Sequence, residues 1–192
     1  MTNKNLYLLF ILFFTIINIS CNTLRSEGNI DVNGMIYDFT NKPVAQCMIA
    51  LDNSYFGITD INGRFVLPKV PPGNYTLYVY KAGYEKFSEE ILIINIEQII
   101  YIRIPSQNQL LDMVDEALTA MNVDFADELI QRAYQVDKNN IEMLFYYATI
   151  KFRQQKFIEA IDFLITAKEM GSRDINIDRF LTILRGLVNA DN

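Results

Sequence analysis

Hydrophobic and polar positions follow three different rhythms along this chain. Leu6 to Ile17 is a twelve-residue apolar run, interrupted only by Thr15 and preceded by Lys4. A membrane span needs roughly 20 apolar residues, so the run is short for crossing and has the length of a secretion-signal core. Asn22 to Asn29 is polar and without period, which predicts a tether. From Ile30 onward, apolar residues come in short runs separated by turn residues, the rhythm of strands. The predicted strands are Ile30–Tyr37, Val44–Leu51, Gly57–Thr59, Arg64–Leu67, Tyr75–Lys81, Ile91–Ile96 and Ile99–Ile104. The breaks fall at Asn41-Lys42-Pro43, Asp60-Ile61-Asn62-Gly63, Pro71-Pro72-Gly73-Asn74 and Lys81-Ala82-Gly83. Seven short strands with one apolar face each need a second layer, so an antiparallel β-sandwich over 29–104 is expected.

Pro105 marks the switch to a period of 3.6. Helices are predicted at 107–121, 123–136, 140–154 and 157–170. Gly171 supplies a C-cap signal, and a fifth helix over 175–189 places Ile177, Phe180, Leu181, Leu184 and Leu187 on one side. Ala126 and Ala160 are 34 residues apart, as are Ala133 and Ala167, Leu110 and Leu144, Leu118 and Phe152, and Ile130 and Leu164. A fixed period of this length marks stacked helical hairpins. The expected fold class is therefore α+β as separate domains. Residues 1–20 would be a signal peptide and 21–28 a tether. A seven-stranded antiparallel β-sandwich over 29–104 and helical repeats over 106–192 (107–139, 140–173, capping helix 175–189) follow.

Composition then removes whole classes of chemistry. The 192 residues contain no histidine, which excludes histidine triads, histidine metal sites and a histidine general base. The net charge is −6, and the acidity sits mainly after Pro105. No Lys/Arg cluster occurs, which argues against a nucleic-acid partner. Asp60 is read as a turn cap rather than a calcium ligand, because no Asp-x-Asp-x-Asp spacing surrounds it. The cysteines are Cys21 and Cys47. Cys47 lies in the apolar stretch Ala45–Leu51 without a basic neighbour and reads as an inert buried thiol. There is no phosphate-cradling glycine loop and no nucleophile elbow. No cofactor and no catalytic residue are expected, and the chain reads as non-enzymatic.

Three resemblances sharpen this picture. Ser20-Cys21 after the apolar run resembles a bacterial lipoprotein signal, although Asn18 stands where such signals usually carry an aliphatic residue. It implies acylation of Cys21 and a membrane-anchored protein of the cell envelope. The succession Gly34, Asp38, Lys42-Pro43-Val44, Thr59-Asp60-Ile61-Asn62-Gly63-Arg64-Phe65, Val70-Pro71-Pro72-Gly73-Asn74-Tyr75 and Ala82-Gly83-Tyr84 resembles the carboxypeptidase regulatory-like domain, a transthyretin-like β-sandwich. Pro72-Gly73-Asn74-Tyr75 is also similar to PEGA modules. The helical part resembles tetratricopeptide repeats through Leu144, Tyr147, Ala148, Phe157, Ala160, Leu164 and Ala167, and through Leu110, Val114, Ala126, Ile130 and Ala133.

By that last resemblance, a partner-binding groove would be lined by Asn108, Leu111, Asp115, Leu118 and Thr119 in the first unit. Glu142, Phe145, Thr149, Phe152 and Arg153 would line it in the second. Helical apolar spacing alone does not separate groove from core, so Phe145 and Phe152 fit either role. The leading expectation is a lipid-anchored envelope scaffold for a protein or peptide partner. A carbohydrate-binding role for Tyr55, Tyr78, Tyr80 and Tyr84 ranks below it, because Trp is absent. A non-catalytic accessory subunit of an envelope enzyme or transport complex is the third reading.

Overall fold

The computed structural model describes residues 28–94 and 98–190. Seven strands come first: β1 (Ile30–Tyr37), β2 (Met48–Leu51), β3 (Tyr55–Ile58), β4 (Arg64–Val70), β5 (Gly73–Tyr80), β6 (Phe87–Ile93) and β7 (Ile99–Arg103). They form a three-stranded sheet of order β4-β1-β7 and a four-stranded sheet of order β3-β2-β5-β6. Alternating residues of both sheets meet in one core around Ile36, Ile49, Leu51, Leu67, Leu77 and Ile93.

The expected antiparallel sandwich needs one correction: β7 runs parallel to β1, from Asn33 opposite Ile99 to Tyr37 opposite Arg103. The chain passes from β6 in one sheet to β7 in the other and arrives beside its first strand. A period of two looks the same in either direction, so the alternation of side chains carries no information on this point.

Two glycines fix the local geometry. Gly34 sits opposite Phe65 across the β1–β4 ladder. A Cβ there would lie 2.2 Å from the Phe65 ring and 2.7 Å from the Ile100 carbonyl oxygen, so the missing side chain makes room for that ring. Gly63 has φ +73°, and the Asp60 carboxylate accepts hydrogen bonds from the backbone N–H groups of Asn62 and Arg64 around it. Buried Thr59 accepts from Cys47 N–H and donates to the Val44 carbonyl, tying the approach to β2 to the end of β3.

Five helices follow: α1 (Gln107–Thr119), α2 (Val123–Val136), α3 (Ile141–Arg153), α4 (Phe157–Glu169) and α5 (Ile175–Ala190). Ser106 and Gln109 form a capping box at the start of α1, and Asn122 and Asn140 cap α2 and α3. The helices pair as α1/α2 and α3/α4, with α5 against α4. Their core includes Leu110, Val114, Leu129, Ile130, Met143, Ile150, Leu164 and Leu184, together with fully buried Ala126, Ala133, Ala148, Ala160 and Ala167, whose small side chains permit close helix packing.

The helices are fastened to the sandwich at its Ala82–Lys86 corner. Glu85 N–H donates to the Pro105 carbonyl, and Gln107 N–H donates to the Gly83 carbonyl. Arg132 of α2 makes a two-pronged ion pair with Glu85, both contacts at 2.7 Å.

Candidate functional site

The helical face is organised by Gln107. Its buried side-chain amide donates to the carbonyls of Ala133 and Asp137 at the end of α2, at 2.9 and 2.7 Å. Its amide oxygen accepts from the Asn140 side chain at 2.9 Å. One side chain at the first turn of α1 thus holds the end of α2 and the start of α3. It sets how the two hairpins lie against each other.

Aromatic and polar contacts join the next helices. Phe180 of α5 meets the rings of Phe145 and Phe152 of α3, with centroids 6.0 and 5.5 Å apart. Tyr146 of α3 precedes Phe180 by 34 residues and lies beside Asp115 of α1. Burial, reinforced by Asp115, Glu142 and Asp112, pushes the Tyr146 hydroxyl pKa up.

The residues expected to line the groove divide accordingly. Leu111 and Leu118 are buried. Phe145 and Phe152 are half-buried and in contact with α5, while the Thr149 hydroxyl donates to the Phe145 carbonyl. Asp115, Glu142 and Arg153 are exposed, as are Asn108 and Thr119, and Arg153 reaches the Met121 sulfur at 3.2 Å. Deeper in the stack, Tyr147 lies flat on Phe163 at 4.5 Å and edge-on to Tyr134. Burial pushes its hydroxyl pKa up to about 12. Lys151 sits over its ring and pairs with Asp127 at 3.2 Å.

The four tyrosines singled out in the sandwich also divide. Tyr55 is half-buried, edge-on to Tyr75 at 5.9 Å, and Tyr84 is half-buried beneath Lys81. Tyr78 and Tyr80 are about half exposed on the outer face of the four-stranded sheet. Cross-strand registers build a grid on that face. Ile58, Met48 and Tyr80 form one row, and Phe56, Ala50 and Tyr78 the next, with Ser88 beyond Tyr78. The row after that is polar, with Thr76 opposite Glu90. There Asp52, Asn74, Thr76, Glu90 and Leu92 line an open depression of about 500 Å³. Sequence reasoning passed over Phe56, Ile58 and Met48. The signal was present: each falls on the same side of its strand as the tyrosines once the registers are known.

Cys47 is fully buried, and burial raises its thiol pKa to about 11. Among the described residues, no group of three or more Cys, Asp or Glu side chains is placed to hold a metal ion. Among the same residues, no helix is long and apolar enough to cross a membrane. Cys21, the expected acylation site, lies outside the described residues.

Two chains of type II cohesin–X–dockerin complexes from Acetivibrio cellulolyticus, one an N-terminal and one a C-terminal interface mutant, are similar to parts of this chain. The first is 23% identical with a TM-score of 0.31, covering 40% of this chain and 58% of that one. The second is 22% identical with a TM-score of 0.32, covering 42% and 60%. Catechol 1,2-dioxygenase from Pseudomonas arvilla C-1 is 16% identical over 37% of each chain, with a TM-score of 0.31. This chain thus spans less than two thirds of each of those chains. No curated protein matches it. One family model does match, that of the carboxypeptidase regulatory-like domain, over residues 31–102. With the motifs of that family in order and two facing sheets built from them, residues 31–102 are a carboxypeptidase regulatory-like domain.

Proposed function

We propose that the chain is a lipid-anchored scaffold of the cell envelope that holds a protein or peptide partner on its helical half. In this reading Cys21 carries the acyl chains, residues 29–104 form one domain, and residues 106–192 form a second built of tetratricopeptide-like hairpins. The supporting observation is that residues 34 apart share the same buried setting: Ala126 and Ala160, Ala133 and Ala167, Leu110 and Leu144, and Ile130 and Leu164 all lie in the helical core. Alongside this, Phe180 of α5 packs on Phe145 and Phe152 of α3. A stack that repeats in this way presents a continuous face along α1, α3 and α5. Leu111, Leu118, Phe145 and Phe152 form the floor of that face. Asp115, Glu142, Thr149 and Arg153 are the groups a partner meets. Asp112 and Asp115 of α1 and Glu142 of α3 make this face acidic and favour a partner segment bearing Lys or Arg.

The test is cross-linking and pull-down of the intact protein from its own envelope, beside an Asp115→Lys, Glu142→Lys variant. Loss of the partner with an unchanged melting temperature supports the reading. Recovery of the same partner by both proteins refutes it. Cys21→Ser addresses the anchor separately, because the variant should leave the membrane fraction.

A further inference from the structure

We propose that the outer face of the four-stranded sheet binds a neutral oligosaccharide. This site is separate from the helical face and does not rest on the scaffold reading.

The face is amphipathic in a particular way. Phe56, Ile58 and Met48 are 60%, 66% and 51% exposed, and Tyr78 and Tyr80 are 46% and 47% exposed, all on adjacent strands of one sheet. Contiguous apolar exposure of this kind marks a contact surface. Tyr78 and Tyr80 stand about 6.6 Å apart along β5, close to the length of one pyranose unit. The negative face of an aromatic ring attracts the weakly positive C–H groups that cover the flat side of a pyranose. Two residues further along β5, the same face turns polar. The depression offers the Asp52 and Glu90 carboxylates, the Asn74 amide and the Thr76 hydroxyl, with no Lys or Arg in its lining. The Asp52 carboxylate already accepts from Thr76 N–H, which holds it in place at the rim.

The charge pattern selects among occupants. A protein pressed onto this face would have to bring its own Lys or Arg to pair Asp52 and Glu90 and still match the two apolar rows, because the depression itself holds no cation. An anionic ligand would be repelled by the same two groups. A polyol donates hydroxyl hydrogens to carboxylates and carries no charge of its own, and its C–H face is matched by the two rows beside the depression. Clefts that fix a ligand combine apolar or aromatic walls with a few convergent polar groups, and this face supplies both.

Isothermal titration calorimetry of the full chain against cellohexaose, xylohexaose, mannohexaose and chitohexaose tests the proposal. At least one should bind with Kd below ~1 mM. Tyr78→Ala and Tyr80→Ala should each weaken that binding about tenfold or more, and Glu90→Gln should weaken it several-fold. Tyr80→Phe keeps the ring and should retain binding, which separates stacking from a folding defect. Ile183→Ser on the remote helix α5 should change nothing. Absence of binding to all four sugars overturns the proposal, as does binding that both tyrosine-to-alanine variants retain. Sedimentation showing a dimer that Tyr78→Ala dissociates, with no sugar binding, would instead make the face a protein interface and overturn it equally.

Discussion

Replacing Gln107 by Leu keeps most of the side-chain volume and removes every polar atom of the clamp between the two hairpins. The consequence can be worked from its partners. The Ala133 carbonyl keeps a second donor, Asp137 N–H at 3.3 Å, so its loss is small. The Asp137 carbonyl has no other donor among the described residues and is left to whatever water reaches this part-buried site. The Asn140 side-chain amide loses its acceptor, while its oxygen still caps Met143 N–H. Two stranded groups, each costing ~1–3 kcal/mol where water has poor access, are partly offset by the gain from burying Leu. A net loss of about 2–3 kcal/mol is expected, or about 5–10 °C in Tm for a chain of this size. Urea unfolding followed by tyrosine absorbance and far-ultraviolet circular dichroism reads it directly. A loss below ~0.5 kcal/mol would show that the three contacts do not set the hairpin geometry and would refute the reasoning.

Glycine substitutions should go in opposite directions at two sites, as thermal melts of the two variants will show. Gly34→Ala drives a Cβ into the Phe65 ring and the Ile100 carbonyl and should cost about 1–3 kcal/mol. Gly186→Ala in α5 meets nothing within 4 Å and should stabilise by about 0.5–1 kcal/mol. For Asp38, burial acts to raise the carboxyl pKa. Hydrogen bonds from Lys42 N–H, the Thr40 hydroxyl, Thr40 N–H and the Gln109 side chain outweigh it and leave the folded value below the ordinary 3.8. Its contribution is therefore fully present above pH 3.8 and is lost as pH falls through the lower folded value. Asp38→Asn should lower stability at pH 7 by about 1–2 kcal/mol and flatten the acid limb of a stability–pH curve.

Element boundaries were legible where pattern and end signals agreed. The expected Ile30–Tyr37 strand and the 123–136 helix match β1 and α2 end to end. Other edges shifted for identifiable reasons. Val44 to Cys47 has strand-like composition, yet Gln46 takes φ +53° and Thr59 holds the segment, so β2 starts only at Met48. β6 begins at Phe87 rather than Ile91, because Ser88, Glu89 and Glu90 hide a strand that is solvated at the sheet edge. The parallel pairing of β7 was invisible, since direction leaves no mark on alternation. The hairpin pairing was legible from alanines 34 residues apart, but the roles of side chains on α1 and α3 were not. Leu111 and Leu118 have the spacing of both a groove and a seam, and only the packed structure shows that both are buried. Gln107 read as an ordinary polar residue at a helix start, because its partners lie 26, 30 and 33 residues away.

The parallel pairing of β1 and β7 also settles how the sandwich would bear tension. The chain enters at the start of β1 and leaves for the helices from the end of β7, so entry and exit lie at opposite poles of the same sheet. A pull between the N-terminus and the helices runs along both strands in opposing senses. It loads the ladder from Asn33–Ile99 to Tyr37–Arg103 in shear. The bonds of such a ladder share the strain and must fail together, whereas strands peeled apart from one end give way one bond at a time. Mechanically, the two strands form a clasp between the residues that precede the sandwich and the helices that follow it.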